Sequence, residues 1–147
     1  WSPLVLVLMS LVFSVCSYPV GRLADAMSRG LLLALGFGAL IIAELLLAGA
    51  SGYGWAMAGV AVWGVHLGLT QGLLATLVAG AAPDHLRGTA FGIFNLANGI
   101  ALLLASLIAG ILWQMLGASV TFYAGAGFAG AALVLLLVAL RSRHWQG

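Results

Sequence analysis

The segment YPVGRLADAMSRG, Tyr18 to Gly30, holds Arg22, Asp25 and Arg29 in a chain with only five basic and three acidic residues. Gly21 lets a neighbouring helix approach the backbone closely. Asp25 and Arg29 stand at the i, i+4 spacing of a carboxylate–guanidinium pair on one helical face. A carboxylate at the start of the following helix would also meet the positive end of that helix's dipole. Such a cluster can latch one helix end to another and release it when the helices rock. A plainer reading also stands: charges between two spans hold the connection in water and set orientation. That accounts for Arg22 and Arg29 but not for Asp25, because acids contribute little to orientation.

Other polar residues sit inside apolar runs, where ionisable groups are costly and mark functional positions. Glu44 can be a proton site or a substrate contact, or an acid that snorkels to the interface or pairs with a neighbouring helix. His66 has Thr70 on the same helical face and Gln71 a little around from it. This group could bind a solute or shuttle protons near neutral pH, or His66 could bond a carbonyl of a neighbouring helix. Asn95 and Asn98 form a stripe that Ser106 continues; asparagines so placed contact substrate or join helices. Ser10, Ser14 and Ser17 form a weaker stripe, since serine often bonds its own helix backbone. Gly64, Gly68 and Gly72 make a groove for close packing, as do Gly88 and Gly92. Trp55 and Trp113 fit an interfacial aromatic belt.

No nucleophile has a base at usable spacing, and there is no phosphate-binding glycine loop and no paired carboxylate. The lone Cys16 cannot form an internal disulfide, and no Cys/His cluster has metal-ligand spacing. The expectation is no enzyme, no cofactor and no metal. An intramembrane enzyme built on His66 would need Glu44, Asn95 or Asn98 as its second group.

The elements that carry these residues follow from composition. Charged residues are 5% of the chain, 64% is hydrophobic, and the mean hydropathy is +1.21. A soluble domain carries about 25% charged residues, and a small fold has too much surface to hide so much apolar material. The lipid bilayer is therefore the solvent. A net charge of +2 excludes a nucleic-acid partner.

A helix needs about 20 mainly apolar residues to cross the hydrocarbon core. Five runs qualify, near 3–20, 31–50, 55–81, 88–116 and 120–140. They are too long and too evenly apolar for barrel strands. The fold class expected is all-α: a polytopic membrane protein of five transmembrane helices. Gly21–Gly30 is the first, charged connection. Pro83 breaks the chain before the fourth run, and Asp84 is placed to cap it. If the helices alternate, Arg22, Arg29, Arg87, Arg141 and Arg143 all fall on one side, which the positive-inside rule makes cytoplasmic. The C-terminus would then be cytoplasmic and Trp1 outside, so an earlier helix is expected to deliver the chain there.

Gly21, Asp25 and Arg29 resemble the loop signature G-x-x-x-D-[RK]-x-G-R-[RK] of the major facilitator superfamily (MFS); Ala26, Ser28 and Gly30 depart from it. Pro83, Arg87, Gly88, Ala90 and Gly92 are similar to the family's P-x-x-x-R-G-x-A-x-G junction. The resemblance implies a fragment covering helices eight to twelve, 1–147 forming part of one transporter domain. It implies a secondary active transporter working by alternating access, with proton-coupled efflux of a small-molecule substrate. Gly21, Asp25, Arg29 and Arg87 would belong to the gating loops. The helices of His66, Gln71, Asn95 and Asn98 would line the cavity, and that of Glu44 would be peripheral. The partners implied are the missing N-terminal helices, and the location is the inner (plasma) membrane. The alternative is a complete five-span protein with a structural or assembly role.

Overall fold

The computed structural model describes residues 2–143, the side chains of residues 2, 17, 20–26 and 143 excepted. The described residues form five α-helices and one short 3₁₀ turn. They are α1 (Ser2–Ala26), α2 (Arg29–Ala48), α3 (Tyr53–Ala81), the turn Asp84–Leu86, α4 (Arg87–Leu116) and α5 (Ala118–Arg143). Helices α2 to α5 are long and apolar enough to cross a membrane; in α1 the described apolar stretch is Pro3–Cys16.

The first connection is shorter than composition suggests. Helix α1 continues through the charged segment to Ala26, leaving Met27 and Ser28 as the break. Leu23, Ala24 and Ala26 are good helix formers, and a single Gly21 costs only about 1 kcal/mol in a helix interior. Pro19 also lies inside α1 and has no N–H to offer the carbonyl four residues back. Ser28 starts α2: its Oγ accepts the Leu31 N–H at 3.3 Å. The expected Asp84 cap does not form. Asp84 instead opens the 3₁₀ turn and pairs with Arg87 at 2.9 Å.

Helix α2 is central, packed against α3 on one side and α5 on the other; α1 lies on the far side of α3. In lipid no water drives helices together, so close van der Waals packing must do it. Small residues supply that packing. Ala43 and Ala48 of α2 are buried, as are Gly59, Gly64 and Gly68 of α3 and Ala129 of α5. A Cβ on Gly64 would lie 3.0 Å from the Met9 carbonyl oxygen, and one on Gly68 would lie 3.0 Å from Cys16 Cβ. These two glycines bring α1 onto α3. Gly72, Gly88 and Gly92 meet no described atom in this way, so the tight stripe ends at Gly68.

Helix α4 differs from the rest: it buries no residue and touches α3 and α5 only sparsely. It turns into α5 at Gly117, whose φ of 89° is one that residues with a side chain rarely adopt. Trp113 and Phe122 meet edge to face across that hairpin, with centroids 5.9 Å apart.

Candidate functional site

The charged end of the molecule has two parts. Arg87 bonds Asp84 and also donates its Nε–H to the Ala79 carbonyl at 3.3 Å. Ala79 lies in the last turn of α3, where carbonyls lack helical partners and a cation meets the negative end of the dipole. Arg87 therefore ties the end of α3 to the start of α4.

The other part is the α1–α2 junction. Asp25 falls in the last turn of α1, not at the start of α2, and Arg29 opens α2. Each charge thus stands at the end of its helix that the dipole disfavours. The break at Met27–Ser28 also removes the continuous helical turn that the i, i+4 pairing needs. Arg29 is exposed; the side chains of Gly21, Arg22 and Asp25 lie outside the described residues.

Among the membrane-embedded candidates, His66 is half-buried against α2. Its Nδ1–H donates to the Gly36 carbonyl at 2.8 Å, which leaves Nε2 as the acceptor. Thr70 is buried beside it and donates to the His66 carbonyl at 2.8 Å, so its hydroxyl serves its own helix. Gly36 makes this approach possible, since a Cβ there would lie 2.5 Å from Thr70 Cγ2. No described hydrogen bond joins His66 to Glu44, Asn95 or Asn98.

Gln71 is exposed. With Ser10, Met9, Phe13 and Leu67 it lines a small cleft of about 90 Å³ between α1 and α3. The first-helix serine stripe thereby meets the third helix at one point. Asn95 and Asn98 are exposed on α4.

Glu44 is 8% exposed, one of two buried polar residues in the described structure. Its carboxylate lies against α5, where a Cβ on Gly125 would come within 2.8 Å of it. It opens into a groove of about 640 Å³ between α4 and the α2–α3–α5 layer, lined also by Trp63, Ser106, Thr121, Phe122 and Phe128. Sequence reasoning found Glu44 but not Gly125 or Gly36. A glycine in an apolar helix carries no local mark of the partner that presses on it.

Membrane-length apolar helices, short turns and small-residue interfaces define a multi-pass helical membrane protein. The comparison with known families narrows this further. The Major Facilitator Superfamily profile matches residues 2–146, and the chain belongs to that family. It is 32% identical over 118 residues to an uncharacterized MFS-type transporter of Bacillus subtilis, YwfA, covering 79% of this chain and 27% of the relative. It is 30% identical over 131 residues to an uncharacterized MFS-type transporter of Methanocaldococcus jannaschii, MJ1317, covering 89% of this chain and 33% of the relative. The chain thus spans about a quarter to a third of the length of these curated relatives. No solved structure matches it significantly.

Proposed function

We propose that this chain is a C-terminal portion of an MFS-type secondary transporter that moves a small solute across the membrane by alternating access. The observation that carries the reading is the family match across residues 2–146. The geometry supports it in one respect. Gln71, Asn95 and Asn98 are exposed on helices of membrane length. Polar side chains facing hydrocarbon are costly, so such faces belong against water, a solute or further protein. In this reading they face the solute pathway between two helical halves near the midplane. His66 Nε2 is a second candidate for substrate or proton, and proton-coupled efflux is the coupling assigned. Gly21, Asp25, Arg29 and Arg87 form the gating end, on the cytoplasmic side of the inner membrane with the C-terminus.

Two measurements test this. In proteoliposomes the present chain alone shows no saturable solute flux, because it holds only part of one half of the site; saturable uptake dependent on it would sink the reading. In the whole transporter, Asn95→Leu with Asn98→Leu lowers transport about ten-fold or more while leaving expression unchanged. Unaltered flux in that double variant would remove α4 from the pathway.

A further inference from the structure

The small cleft between α1 and α3 is lined by two polar side chains that no described residue satisfies. Thr70, Thr76, Thr121 and Ser142 each give the hydroxyl proton to a carbonyl three or four residues back, at 2.8, 2.8, 3.0 and 2.9 Å. That is the usual fate of a hydroxyl in an apolar helix. Ser10 makes no such bond, and the Gln71 amide has no hydrogen bond among the described residues. Both are exposed, on helices that Gly64 and Gly68 hold at close range. Met9, Phe13 and Leu67 supply apolar walls, and the cleft measures about 90 Å³. A cavity of about 150 Å³ holds one benzene ring, so this cleft has room for a single functional group and not for a whole solute.

Its surroundings carry no charge. Away from the helix ends, Glu44 and His66 are the chain's only acidic, basic or imidazole side chains. Neither lines the cleft. Glu44 lies against α5 and His66 bonds α2, whereas α1 packs on the other side of α3. A charged group entering here would lose its water and meet no counter-charge from this chain, which is costly. The donor pattern points the same way. The Gln71 amide offers one acceptor oxygen and two N–H donors, and the Ser10 hydroxyl both donates and accepts. A carboxamide matches this, with its N–H on the glutamine oxygen and its oxygen on the glutamine N–H. A carboxylate brings only acceptors and sets oxygen against oxygen. An amidinium brings only donors and sets N–H against N–H.

We infer that this cleft is a solute subsite that takes one uncharged carboxamide-like group, bonded by Gln71 and Ser10, with the apolar part of the molecule lying toward Phe13 and Met9. Its place in the pathway rests on the transporter reading. Its preference for a neutral group that both donates and accepts rests on Ser10 and Gln71 themselves. The solute class is an organic molecule with an uncharged amide-like end; inorganic ions do not fit this wall.

The test uses the whole transporter in lipid nanodiscs, labelled with ¹³C at the methionine methyls. The Met9 methyl is assigned by its loss in Met9→Leu. Three probes of one shape and three charges are titrated at pH 7: benzamide, benzoate and benzamidinium. Benzamide shifts the Met9 resonance saturably, and the two ions bind about five-fold more weakly or worse. Gln71→Leu weakens benzamide about five-fold or more, while the other methionine resonances stay in place and show that the fold is kept. Gln71→Glu moves the preference to benzamidinium, because the new carboxylate pairs with the amidinium. No saturable shift with benzamide, or equal affinity for the three probes, would overturn the inference. So would benzamide binding undiminished in Gln71→Leu, or a linear shift shared by all the methionine methyls, which marks entry into lipid alone. The transporter reading is judged by solute flux, which these resonances do not measure. Flux retained without benzamide binding strikes only the subsite, and binding without flux strikes only the transport, so the two readings fail separately.

Discussion

At the scale of single residues, one hydrogen bond joins His66 to Gly36, which stand 30 residues apart in sequence. The histidine donates across the α2–α3 interface, and the glycine leaves room for Thr70 to press against α2. Interhelical hydrogen bonds in membranes are worth roughly 0.5–2 kcal/mol. We therefore predict that His66→Leu destabilises the helix bundle by about 1 kcal/mol, read from denaturant titration in mixed micelles. Gly36→Ala is expected to cost more, about 1–3 kcal/mol, because the new methyl overlaps the Thr70 side chain. Equal stability of Gly36→Ala and the parent would show that α2 and α3 can separate at no cost. The residue scale is also where the sequence was least legible. The i, i+4 spacing of Asp25 and Arg29 suggested one helical turn, but Ser28 caps a new helix between them. Asp84 was placed to cap α4, but the nearby Arg87 guanidinium took its carboxylate. In each case a local pattern had two uses, and the choice depended on the next few residues.

At the scale of elements, α1 is held on α3 by the absence of side chains at Gly64 and Gly68. Their fourth-residue repeat is visible in the sequence, and its meaning as a packing surface is general. Where the repeat stops being used is not visible: Gly72 looks identical and meets nothing within the described structure. This contrast makes a test. Cysteines placed at Ser10 and Gln71, which line one cleft between the two helices, should cross-link readily in a Cys16→Ser background. Gly68→Leu should reduce that cross-linking several-fold by forcing the helices apart, and Gly72→Leu should leave it near the parent rate. A reversed order would mean that α1 meets α3 on another face.

At the scale of the whole molecule, the distribution of arginines predicts orientation. Arg22, Arg29 and Arg87 lie at or beside two helix junctions, and Arg141 and Arg143 at the end of α5. The junctions at Ser51 and Ser119 carry no basic residue. We predict that an impermeant maleimide applied to intact cells labels Ser51→Cys and Ser119→Cys but not His85→Cys, with Cys16 replaced by Ser. Labelling of His85→Cys alone would invert the topology.

The sequence by itself determined the class of molecule and the number of helices. Hydropathy over a span, and the breaking effect of Pro83, Gly117 or Ser51-Gly52, are properties of neighbouring residues and can be read without the fold. The loop and junction motifs carried the family for the same reason. The tertiary structure decided which faces meet. In lipid an apolar face packs against a helix as well as against an acyl chain, so the pattern of hydrophobic residues does not mark the inside. Glu44 could be located from its charge, but only the packing of α2 on α5 set it against Gly125 and opened it to the groove beneath α4. Such pairings join residues far apart in the chain, and they exist only once the helices have met.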